Sequence, residues 1–116
     1  MMATTIEQSK HLLALGLDPK TADMCLSKTA QGTWFLCAYV PSEYDAHTVP
    51  AWSLSALLEV MPQPDLYRVS ADSWVCAAFF KEGSIRGYGE TAIDAACDNI
   101  TKMFRSGYLI KKGGEL

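Results

Sequence analysis

The sequence predicts an α+β fold: an antiparallel sheet of three to four strands with helices packed on one face, in the order α-α-β-α-β-β-β-α. Three observations carry this. An apolar stripe at helical spacing opens the chain, three strand-length runs between Leu66 and Tyr88 follow one another across very short links, and a second helical stripe comes directly after them. Links that short require antiparallel neighbours. Strands followed by a helix that must bury one face place helices against the sheet.

At the N-terminus, Thr4 and Glu7 have capping-box spacing, which predicts a helix from about Thr5 to Leu15. Its stripe is Ile6, Leu12, Leu13, Leu15 and Leu17, and Gly16 supplies the left-handed residue that ends it. Asp18-Pro19 then reads as an N-cap followed by proline at the first helical position, predicting a short second helix from Pro19 to about Leu26. Thr29–Thr33 is a polar connector.

Trp34–Val40 is an apolar run of strand length ended by Pro41, expected to be an interior strand because both faces are apolar. Ser42–Pro50 reads as a loop. Ser53 is the expected cap of a helix carrying Leu54, Leu57, Leu58 and Met61, with Trp52 placed to pack on Leu57 and Pro62 and Pro64 to stop it. The three strands are Leu66–Ser70, Ser73–Phe80 and Ser84–Tyr88, linked by Ala71-Asp72 and Lys81-Glu82-Gly83. Thr91, with Asp94 three residues on, caps the last helix. Its buried face is Ile93, Ala96, Cys97, Ile100 and Phe104, with Asp98, Asn99, Thr101, Lys102 and Arg105 on or near the other. Gly107 and Tyr108 suit a Schellman ending, with Tyr108 against Met103.

These elements fit one domain over residues 1–116: a helical part at about 4–28, a sheet-and-helix part at about 33–108 and a frayed tail at 111–116. At 49% hydrophobic and 20% charged residues, the chain has enough apolar material for a core of its own. The net charge of −3 and pI of about 5.2 give no general attraction for nucleic-acid phosphates. The N-terminal residues carry neither the basic nor the apolar region of a signal peptide, and no apolar run reaches membrane-spanning length. The cysteines at 25, 37, 76 and 97 form no CxxC pair and read as reduced core thiols. A cytoplasmic protein is expected, without membrane contact.

Catalytic chemistry finds little footing. His11 and His47 have no local nucleophile-and-orienter signature, and Asp94 with Asp98 is a weak divalent-cation pair that also reads as a cap and a solvated acid. No cofactor or metal is expected, and nothing makes a positive case for an enzyme. Leu12–Leu26 has the look of a helix-turn-helix, which would make Lys20, Thr21 and Lys28 its nucleic-acid contacts; Asp23 beside them repels phosphate. Trp34, Trp52 and Trp74 flank apolar runs and read first as core or rim packing; the sharper reading is a protein-contact surface that includes Trp52, Tyr67 and Trp74, since Trp and Tyr are enriched in binding hot spots.

The stretches Gly16–Met24, Val49–Pro62 (VPAWSLSALLEVMP) and Thr91–Cys97 resemble small uncharacterised proteins encoded in prophages and mobile elements of Bacteroides-type gut bacteria. The resemblance spans about Gly16 to Tyr108 and implies a cytoplasmic protein of phage-related origin; it brings no activity and no site residue. In the order of its elements alone, Leu66–Phe104 is similar to HicB-like antitoxin domains and double-stranded-RNA-binding folds. The basic helix start of the RNA binders is missing, because Thr91–Asp98 carries two acids and no base. The function expected from the sequence is therefore a non-enzymatic interaction or accessory protein, a homo-oligomer read as a dimer, with nucleic-acid binding through Leu12–Leu26 as the alternative.

Overall fold

The computed structural model describes residues 2–108; the tail at 111–116 lies outside the described residues. The chain is α+β, as expected. Helix α1 (Ile6–Leu15) is followed by a single 3-10 turn (Pro19–Thr21), strands β1 (Met24–Lys28), β2 (Trp34–Cys37) and β3 (Thr48–Ala51), helix α2 (Leu54–Glu59), strands β4 (Pro64–Ser70), β5 (Ser73–Phe80) and β6 (Gly83–Gly89), and helix α3 (Ala92–Arg105). The strands form two antiparallel three-stranded sheets, β2-β1-β3 and β4-β5-β6, rather than one.

The differences in element type fall in the first half. The cap of α1 is Thr5 with Gln8, one residue on from Thr4 with Glu7. Thr4 is buried and otherwise engaged: its hydroxyl accepts the Trp52 N–H at 3.0 Å and meets the Ser9 hydroxyl at 2.8 Å. The second helix stops after one turn. Asp18 does cap it, but Ala22 is extended and Met24–Lys28 becomes the central strand of the first sheet. A run this short carries too few residues for its period to separate helix from strand, and the hydrogen bonds of two neighbouring strands decide it. β3, expected as loop, is an edge strand, where Pro50 forfeits no ladder bond. β2 also lies at an edge, with Phe35 and Leu36 exposed, so it is not an interior strand.

The second half follows expectation closely. β4, β5 and β6 pair as antiparallel neighbours, with one register shift between Arg68 and Ser70, and Thr91 caps α3. Both long helices close with Schellman-type bonds: Leu17 N–H to Leu12 O (3.0 Å) in α1 and Tyr108 N–H to Met103 O (3.1 Å) in α3. Tyr108 stacks on Phe80, centroids 4.0 Å apart. The main core lies between one face of β4-β5-β6 and the helices, built from Leu12, Leu17, Trp52, Leu57, Cys76, Ala78, Ile93, Ala96, Ile100 and Met103.

Two details set the helix-to-sheet distance. A Cβ on Gly87 would collide with the backbone of Ala95 and Asn99, and one on Gly89 with Asp94 and Ala95. β6 therefore lies directly against the α3 backbone. Asn99, expected toward the outer side, is fully buried there; its amide donates to Cys76 O at 2.6 Å and Ile85 O at 2.8 Å. Thr101 is buried as well, its hydroxyl donating to Cys97 O, because α1 packs on that flank of α3.

Gly87→Ala should destabilise the fold by about 3 kcal/mol or more, since backbone rather than a movable side chain occupies the space; denaturant unfolding measures it. Asn99→Asp places a carboxyl against two carbonyl oxygens and should raise that carboxyl's folded-state pKa above its unfolded value. The native state then holds the proton more tightly, so the variant lies closest to wild type at low pH and falls away as pH rises. Unfolding at pH 4 and pH 7, each against wild type, should show the larger loss at pH 7.

Candidate interaction surface

The groups with chemical potential are mostly engaged in structure. The Asp94 carboxylate accepts the Gln8 amide at 2.7 Å; Asp98 accepts the Tyr88 N–H at 2.8 Å and pairs with Lys102 at 3.1 Å. The His11 ring meets the Thr101 hydroxyl at 3.1 Å, while of His47 it is the backbone N–H that donates to Asp45, at 2.7 Å. Among the described residues, no three His, Cys, Asp or Glu side chains gather as a metal site would require. The four cysteines are free thiols. Cys25 and Cys37 face one another across β1 and β2, so Cys37 is half-buried at a sheet edge rather than in the core. Burial raises the Cys25 thiol pKa, pushes Cys76 up to about 11 with help from the Asp65 charge, and pushes Cys97 up to about 12 with help from Asp94 and Asp98. Protonated thiols are poor nucleophiles.

The expected nucleic-acid residues do not form a reading helix. Lys20 and Thr21 lie in the isolated 3-10 turn; the Thr21 hydroxyl accepts the Trp52 indole N–H at 2.9 Å and donates to Asp18 O. Lys28 ends β1, its ammonium 5.7 Å from the Trp34 ring centre. The helix-turn-helix is absent because its second helix is a strand.

The three aromatic candidates separate. Trp52 is fully buried in the main core, the reverse of a contact surface. Trp74 is half-buried on the helix side of its sheet, with the Arg68 guanidinium 5.8 Å from its ring centre. Tyr67 is exposed, and on the opposite side, because successive strand residues alternate faces.

That opposite side is the candidate surface. Gly87, Gly89 and Cys76 face α3, so the alternating positions face away: Asp65 and Tyr67 on β4, Val75, Ala77 and Phe79 on β5, Ser84, Arg86 and Tyr88 on β6, with exposed Val69 next to Tyr67 where the β4 register shifts. Tyr67, Val69, Phe79 and Tyr88 are exposed at 42%, 63%, 37% and 56%, a contiguous apolar patch around Val75 and Ala77. Val75 and Ala77 have little exposure and belong to neither core cluster. The molecule is 20 Å across its thinnest dimension, two layers deep, with α3 on one side of this sheet only. Alternation and register along β4–β6 make Phe79 and Tyr88 companions of Tyr67, with Val69 beside it at the irregularity of β4, a grouping that bulk aromatic content does not disclose.

Comparison with protein-family models, with curated proteins and with solved structures gives no match. Among the described residues, no helix is long and apolar enough to cross a membrane.

With a thiol reagent at mild alkaline pH, Cys37 should label first in the native protein, while Cys25, Cys76 and Cys97 wait for denaturant. Mass spectrometry of the labelled positions reads this directly; fast native labelling of Cys97 would contradict it.

Proposed function

We propose that the chain is a non-enzymatic interaction or accessory protein, of phage or mobile-element origin, that works through the bare face of β4-β5-β6. The observation that carries the reading is the exposed set Tyr67, Val69, Phe79 and Tyr88 on one side of a sheet whose other side holds the core. Isolated exposed apolar residues are ordinary; a contiguous apolar sheet face rimmed by charge marks a contact site. Asp65 and Arg86 supply that rim. Large amphipathic tyrosines give contact area at low entropic cost, which suits this role. The phage-related origin rests on the resemblance of Val49–Pro62 and its flanking stretches.

Replacing Tyr67, Val69 and Tyr88 together with serine tests the reading. Wild type should self-associate or, as a monomer, bind an apolar fluorescent dye, and the triple variant should do neither while unfolding within about 1 kcal/mol of wild type. A wild type that remains monomeric without binding dye, or a variant that loses several kcal/mol, would assign the face to folding alone.

A further inference from the structure

We infer that the occupant of this face is a second copy of the chain, related by a twofold axis that lies between the two sheets and parallel to β5. The inference rests on the interaction reading above and adds the partner and the register.

Charge selects the arrangement. Asp65, Ala77 and Arg86 form one row across the sheet: Asp65 pairs with Ala77, and Ala77 with Arg86. The acid and the base thus sit at opposite edges of the same row, about 10 Å apart, too far to pair with each other. Among the described residues, neither takes part in an ion pair.

Rotation about an axis along β5 keeps every row at its own height and exchanges the β4 and β6 edges. Asp65 of each copy then lies opposite Arg86 of the other, twice by symmetry. In the next row, Tyr67 of each copy lies opposite Tyr88 of the other, on either side of Val75. A face-to-face twofold in the same plane but across the strands lays β4 on β4 and β6 on β6. It brings like charges together when centred on this row and forms no Asp65–Arg86 contact. Face-to-face packing of twisted sheets is an ordinary geometry for such an interface.

Three strands about 4.8 Å apart and seven residues long give a face of roughly 330 Å² in projection, which belongs to the small, reversible class of interface. Dimerisation should accordingly depend on protein concentration over the working range.

Sedimentation velocity across a concentration series tests this with four proteins: wild type, Asp65→Arg, Arg86→Asp and the double reversal. Wild type should shift from monomer to dimer. Each single reversal should weaken the dimer roughly tenfold or more, by turning two opposite-charge contacts into two like-charge ones. The double reversal should restore it, and all four should keep the same circular dichroism and melting temperature. A dimer indifferent to both reversals, or one that the double reversal fails to rescue, overturns the arrangement and directs attention to the open edge of β2. A wild type that stays monomeric at every concentration also overturns it; if that monomer binds apolar dye through the face, the interaction reading stands and only the choice of partner falls.

Discussion

The contact on which the rest of this structure depends is the backbone-to-backbone approach of α3 to β6. Gly87 and Gly89 have no side chain because there is no room for one. Their absence brings the helix close enough for Asn99 to reach carbonyls on two adjacent strands, Cys76 O and Ile85 O. A buried amide in that position stabilises only one register of helix on sheet. A shift along α3 would strand the carbonyls and the amide together, at about 1–3 kcal/mol for each unpaired group.

The same approach determines which parts of the sheet remain available. β6 is an edge strand, but α3 closes that edge: Asp98 accepts the Tyr88 N–H and Lys102 donates to Arg86 O. At the other edge, β4 begins with Pro64, carries an irregularity between Arg68 and Ser70, and has its end covered by the Arg68 side chain on Ser70 O and Ala71 O. Proline, irregularity and charge are the devices that prevent edge-to-edge pairing. With one face filled by helices and both edges obstructed, the second face is where this sheet can meet another molecule.

Legibility in the sequence follows the range of the forces involved. β4, β5, β6 and α3 were legible because alternation, turn residues, the Thr91 cap and the 3.6-residue stripe act within a few residues and agree. Met24–Lys28 was not, because its strand state depends on pairing with Trp34–Cys37 on one side and Thr48–Ala51 on the other. Thr48–Ala51 was obscured by Pro50, which reads as loop until its edge position is known. The choice between core and contact surface for Trp52 was open for the same reason: its backbone and indole N–H groups bond to Thr4 and Thr21, which are distant in sequence. Of the candidate surface only Tyr67 was picked out, since a patch spread over three strands exists only once their register is fixed.

Register also gives the surface its chemical meaning. Asp65 and Arg86 are 21 positions apart in the chain, yet Ala77 aligns them at opposite ends of one row. An apolar centre with one acid and one base at its rim has the anatomy of a reversible interface, in which burial drives association and charge selects orientation. A face with two acids or two bases at those ends would repel its own copy in the edge-exchanging arrangement. A face with no charge there would leave the axis along β5 and the axis across the strands undistinguished.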